Sequence, residues 1–341
     1  MAESWQTRLI GRRGQRRLPG SWDWLPPALL GLIARRRRAA GFYDALTLTL
    51  FRRAWRSCPS PRRLFDYLSF RRDLGGVVPA NRVPELEHAI PRLSGVRRRL
   101  AVAMLVESAP TQLARLSAHA LAPAAACLPG VAGKRGGQGA LAHIDRCQDE
   151  WRAAFAATVG GCRSVCVVGN GGMLLGARMG EFIDSHDLVV RFNVFRAPHT
   201  DLRDSGSRLD VWVVAPNLSL PPPSDARWVV VTGPDVRYRL QNWGWLLPHR
   251  QRNGAILTVP LEVWQGLALR LSAPPSAGVL FLEWLRRLRG DWAGVSAVGF
   301  GNAVGQPYHH AVPRRPAVSR HHWEAERVLL QRWRSEGLRL A

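Results

Sequence analysis

Four histidines fall within 14 residues late in the chain, His309 and His310 in "PYHHAV" and His321 and His322 in "SRHHWEAER". Imidazole titrates near neutral pH, so such a group can take a proton from a hydroxyl or hand one to a leaving group. Their spacing is not that of a metal site, and a lone histidine ahead of a helix is more often a cap or a bystander. Two other sets of residues could hold a charged ligand. In "VCVVGNGG" an apolar run stops at Gly169, and Asn170, Gly171 and Gly172 permit a tight turn whose backbone N–H groups could face a nucleotide phosphate. Asn193 closes a second apolar run, where its amide can both donate and accept. In "APPSAGVLFLEW" the turn Ser276, Ala277, Gly278 feeds a helix, so Ser276 could cap that helix or help bind a carboxylate or phosphate. None of these glycines fits GxGxxG or GxxxxGK[ST], so a ligand turn and a packing turn stand about even on physics alone.

Such residues need strands that end together. Apolar runs at 165–168, 188–192, 208–215, 226–233, 255–260 and 295–301 alternate with helical segments such as 141–159 and 277–290. Strands alternating with helical connections predict an α/β fold, a mostly parallel twisted sheet flanked by helices. A helix is expected between the glycine turn and the second strand, its N-terminal dipole adding to the anion site. Asp184, Ser185 and Asp187 before that strand read as caps or turn residues.

Residues 1–138 read as an Arg-rich, mostly helical region, helical above all over 85–128, and the glycine-rich break "PGVAGKRGGQG" precedes a catalytic domain at 139–341. A length of 341 residues with 46% hydrophobic composition excludes disorder throughout. The formal charge is +23, yet Lys134 is the one lysine among 48 basic residues. That skew reflects GC-rich coding as much as phosphate binding, so no specific nucleic-acid partner is expected. So basic a surface still attracts anions, acidic lipid included. "ARRRR" near Trp22, Trp24 and Leu25 is either a solvated basic helix or a peripheral contact with anionic membrane. No apolar run reaches 18 residues and no signal cleavage site is present, so neither a spanning anchor nor secretion is expected. The five cysteines lie in the first half without CxxC spacing, which demands no oxidising compartment.

"VVGNGG", "IDSHDLVVRFN" and "DSGSR", spread over 165–208, resemble the large sialylmotif of the animal-type sialyltransferases, glycosyltransferase family 29. Pro275, Ser276, Ala277 and Gly278 resemble the small motif's P-S-[ST]-G turn, with alanine in place of the hydroxyl residue. "PYHHAV" is similar to part of the H-Y-Y-E motif, and His321 with Glu326 matches H-x4-E. The resemblance implies a Rossmann-like, GT-A-like variant and an inverting transfer of sialic acid from CMP-sialic acid to a glycan acceptor. No DxD motif appears, and neither metal nor cofactor is expected. By resemblance His321 is the base, with His322 as its substitute, and His309, or His310, hydrogen-bonds the donor phosphate. Gly169, Asn170 and Asn193 hold CMP, and Ser276, Ala277 and Gly278 meet the donor's carboxylate or phosphate.

Family members of the secretory pathway usually join a cysteine of the large motif to one of the small motif, but no cysteine follows Cys166, and Trp292 stands near where the partner would fall. This implies a bacterial-like, cytoplasmic enzyme, peripheral at the inner membrane face; a Golgi location with an atypical anchor is the alternative. Two other functions stay open, transfer of another 3-deoxy-ulosonic acid from its CMP derivative and a non-catalytic basic module for membrane or nucleic acid. Trp243 and Trp245 could stack on a sugar or pack in a loop.

Overall fold

Prolines and side-chain caps start the helices of the first part of the chain. Helix α1 (Pro27–Ala39) opens on a proline, whose fixed φ suits the first helical position. Asp44 caps α2 (Ala45–Ser57) by accepting from the Thr47 N–H at 2.8 Å, and Ser60 caps α3 (Pro61–Asp73) through the Arg63 N–H. Helices α4 (Val83–Ala89) and α5 (Gly95–Ser108) follow. Leu50, Phe51, Phe70, Leu86, Ile90 and Leu105 form the buried interior here, and Trp55 stacks flat on Tyr67.

Several arginines of this region pair with carboxylates of neighbouring helices. Arg35 pairs with Asp66, Arg37 with Asp44 and Arg38 with Asp73, while Arg72 meets Glu107 through two bonds in a buried pair. Three of the four arginines of "ARRRR" therefore neutralise neighbouring carboxylates, which weakens the reading of that run as a headgroup contact. Trp22 and Trp24 lie outside the described residues. The computed structural model describes residues 25–109, 147–198, 200–215, 218, 220, 222–232, 249, 254–301, 308–312, 314 and 317–341.

The chain divides into two compact units. One comprises residues 1–126 with the short pieces 265–274 and 319–322; the other comprises 127–264, 275–318 and 323–341. The expected boundary at 138/139 lies outside the described residues. Within the first unit, Gly41 has φ +85° and a Cβ there would strike the Ser319 carbonyl. Ser319 Oγ donates to the Ala39 carbonyl at 3.3 Å, so the end of α1 seats the segment that carries His321 and His322.

The second unit is built on β-branched runs. Strands β1 (Val165–Val168), β2 (Leu188–Phe192), β3 (Val211–Val214), β4 (Trp228–Val231), β5 (Ala255–Thr258), β6 (Val295–Val298) and the short β7 (Arg339–Leu340) form one seven-stranded sheet. Every pairing is parallel and the order is β5-β4-β3-β2-β1-β6-β7. β1 to β4 and β6 are buried along their whole length, as expected of a sheet covered on both faces. Helices α6 (Gln148–Gly161) and α10 (Ala277–Arg289) pack together through Phe155, which meets Phe281 and Trp284, and Trp228 of β4 closes the cluster. Gln148 ties α6 to β5 by bonding both Ile256 O and the Thr258 N–H. Two helical turns, α7 (Gly180–Asp184) and α8 (Leu202–Ser205), and helices α9 (Leu261–Leu271) and α11 (Trp323–Ser335) complete the described elements. The strand order reverses between β1 and β6, and in such sheets ligands gather beyond the carboxyl ends at that reversal.

Candidate active site

The glycine turn after β1 works differently from the anion cradle expected of it. Gly169 N–H donates to Val298 O at 2.7 Å and Gly171 N–H to Gly299 O at 3.0 Å, so β1 and β6 stay zipped together past their last strand residues. A Cβ on Gly169 would lie 2.5 Å from Gly299 O, and one on Gly171 would collide with Gly301 O. These glycines permit a close approach of two backbones, and their N–H groups are spent on it. No long helix follows either. A single 3-10 turn (Gly172–Leu174) comes next, and α7 begins only at Gly180, so the expected helix dipole is missing at the turn.

What the turn does present is Asn170. Its Nδ2 donates to Phe192 O at 2.8 Å and Val194 O at 3.3 Å, the two carbonyls flanking Asn193. Its own carbonyl accepts the His310 N–H at 3.0 Å, which brings His310 onto the end of β1. Its Oδ1 is buried and has no hydrogen-bond partner among the described residues. An amide oxygen in that condition is costly unless a donor is brought to it. Asn193 sits at φ +46°, a left-handed conformation that asparagine tolerates better than most residues. Its Oδ1 accepts the Ala215 N–H and its carbonyl accepts Trp212 Nε1–H, which fixes the end of β2 against β3.

His309 and His310 are buried, with their rings stacked 5.8 Å apart. His309 Nδ1 accepts the N–H groups of Ala311 and Val312 at 3.2 and 3.1 Å. In the neutral ring the proton therefore sits on Nε2, which makes that nitrogen a donor.

The small-motif turn is occupied from within the chain. Ser276 caps α10 through the Val279 N–H, while its own N–H and Oγ bond the two oxygens of Glu326 at 2.7 and 2.6 Å. Glu326 is buried, and burial pushes its carboxyl up to about 7 against the lowering effect of those Ser276 bonds. The anion expected at Ser276 is thus the chain's own carboxylate, and Glu326 is a clasp on the turn. Ala277 is the first residue of α10. A Cβ on Gly278 would lie 2.6 Å from the Phe300 ring, which also packs near Gly169, so this glycine makes room for an aromatic wall.

Within the first unit, His321 Nδ1 lies 2.8 Å from Pro274 O and His322 Nδ1 lies 3.1 Å from Leu271 O. A carbonyl can only accept, so each Nδ1 carries a proton, and in the neutral ring Nε2 has the lone pair. Partial burial, aided by the positive Arg320 next in the chain, pushes the His321 imidazole down to about 4 despite the Pro274 bond. His321 is thus a neutral ring, oriented by a carbonyl, with its basic nitrogen on the far side.

Several residues of the large-motif segment position loops, Asp184 and Asp187 as the sequence leads one to expect and Asp204 and Arg191 without such an expectation. Although burial alone would raise it, the Ser207 and Arg208 N–H groups hold the Asp184 carboxyl below its usual range. Asp187 accepts from the Ser164 and Arg163 N–H groups and is lowered in the same way. Asp204 accepts from Gly176 and Arg178. Arg191 in β2 is buried, donates to Arg208 O and Ser205 O, and is pushed down to about 10 by burial. The signal for all four was available in principle, since a charge next to an apolar strand must find backbone partners. Cys166 is a free thiol inside β1, pushed up to about 12 by burial, and Trp292 is buried against Trp333. Among the described residues no helix is long and apolar enough to cross a membrane, and no group of three His, Cys, Asp or Glu could hold a metal. Trp243 and Trp245 lie outside the described residues.

In this parallel sheet the amides of Asn170 and Asn193 and the imidazoles of His309 and His310 come at the ends of the central strands, where sheets of this kind gather their ligands. Residues 140–227 match the model of "Glycosyltransferase family 29 (sialyltransferase)". On that segment the chain is similar to glycosyltransferase family 29. The match ends before Ser276, His309 and His321. The chain is similar to the solved "Crystal Structure of a Mammalian Sialyltransferase", with 21% identity and a TM-score of 0.41, covering 53% of this chain and 69% of that one. A second similar structure, a mammalian sialyltransferase "in complex with Gal-beta-1-3GalNAc-ortho-nitrophenol", has 16% identity and a TM-score of 0.42, covering 79% and 88%. No curated protein matches the chain.

Proposed function

We propose that the chain transfers sialic acid from CMP-sialic acid to a glycan hydroxyl with inversion, using His321 as base and no metal. The observation that carries this reading is Asn170, whose amide and carbonyl tie Phe192, Val194 and His310 together while its buried Oδ1 lacks a donor among the described residues. A ribose hydroxyl or the cytosine amine is the donor it awaits. In the reaction, the acceptor hydroxyl gives its proton to His321 Nε2 as its oxygen attacks the anomeric carbon. The bond from that carbon to the CMP oxygen breaks, and its electron pair leaves with the phosphate. His309 Nε2–H hydrogen-bonds that phosphate and offsets its growing charge. Glu326 acts by holding the Ser276 turn and the start of α10 in place.

The free, buried Cys166 thiol in β1 and the Trp292–Trp333 pair fit a relative that folds without the family bridge. Calorimetric titration with CMP tests the donor site. Wild type should bind it, and Asn170→Ala should weaken binding about tenfold or more, the consequence of losing a buried polar contact. Equal affinity in both proteins would remove Asn170 from the site. Titration with CMP-sialic acid beside the CMP derivative of another 3-deoxy-ulosonic acid identifies the sugar.

A further inference from the structure

Among the described tryptophans only Trp323 is exposed, at 36%, whereas the rest are buried or half-buried. It is the first residue of α11 and directly follows the His321–His322 pair. Its indole is held in place. Nε1–H donates to Val318 O at 3.0 Å, and the ring meets Tyr308 edge-on with centroids 5.4 Å apart at 70°. Tyr308 directly precedes His309 and His310, so one aromatic pair adjoins both histidine motifs along the chain. On the first turn of α11, Glu324 and Arg327 form an exposed ion pair at 2.6 Å, with Arg327 one turn beyond Trp323.

Large aromatic rings normally go inside, and an indole kept partly in water but fixed in orientation is suited to a ligand with one apolar face. A pyranose has such a face in its C–H groups and carries hydroxyls around the rim, for which Glu324 offers acceptors and Arg327 donors. The ion pair carries no net charge, which favours a neutral sugar over an acidic one. We propose that Trp323 and Tyr308 form the platform on which a neutral pyranose of the acceptor glycan rests. The word acceptor depends on the transferase reading; the sugar binding does not.

The test is ligand-observed saturation-transfer NMR on the whole purified chain with neutral disaccharides ending in galactose, N-acetylgalactosamine or glucose. At least one should bind wild type and the Trp323→Phe variant, and bind about tenfold more weakly to Trp323→Leu. Trp323→Gln, compatible with a helix start, serves if the leucine variant melts early. Absence of binding to wild type, or equal binding by the folded Leu or Gln variants, would overturn the platform. Trp323-dependent sugar binding without CMP release from CMP-sialic acid would uphold the platform and sink the transferase reading.

Discussion

At the scale of single residues, Glu326 and His321 are shifted in opposite senses by the same cause. Burial disfavours charge, so it raises the carboxyl to about 7 and lowers the imidazole to about 4. For Glu326 the folded value lies above the ordinary one of about 4.3, so its contribution to stability is complete below that pH and is lost as pH rises through about 7. Glu326→Gln keeps the shape and removes the titration. Thermal melts of wild type should therefore fall relative to the glutamine variant between pH 5 and pH 8, and a constant difference would show that Glu326 does not titrate there. For His321 the folded value lies below the ordinary one, so stability from the neutral ring is present above about 6.5 and is lost as pH falls towards about 4. In the Glu326→Gln background, the acid limb of kcat/KM belonging to this base should fall near pH 4. A limb near 6.5 would mean that the base is solvated.

At the scale of elements, the exits of β1 and β6 set the site by their closeness. Gly169→Ala would bring a Cβ within 2.5 Å of Gly299 O, a backbone atom that cannot turn aside. Overpacking of this kind costs about 1–3 kcal/mol, so chemical denaturation should show a loss in that range, together with weaker CMP binding as Asn170 moves. Unchanged stability would mean that the two exits part easily. This element also shows what sequence could and could not tell. The strands were legible because buried parallel strands are continuous apolar runs, and the valines of 165–168, 188–192 and 295–298 leave little choice. The helix expected after the glycine turn is short and starts late, at Gly180, because "GGMLLGARMG" spreads its glycines through it and Gly176 and Arg178 take positive φ. The short β7 carries too few residues to announce itself. Among the site residues, asparagines and histidines were visible by type and place. That Ser276 would be answered by Glu326, 50 residues on, is a tertiary pairing with no local signal.

At the scale of the whole molecule, the candidate residues Asn170, Asn193, His309 and Ser276 belong to the sheet unit, while His321 and His322 belong with the helical unit. The first part of the chain thus does more than carry charge. Through Gly41 and Ala39 it seats the segment that bears the candidate base, and Arg35, Arg37, Arg38 and Arg72 are paired with Asp66, Asp44, Asp73 and Glu107. The central claim is that His321 takes the acceptor proton, and it is tested by CMP release from CMP-sialic acid in the presence of a glycan acceptor. Wild type should release CMP, and His321→Ala should do so at least about a hundredfold more slowly, the scale of a lost general base. No release by wild type, or equal release by both proteins, would contradict the account.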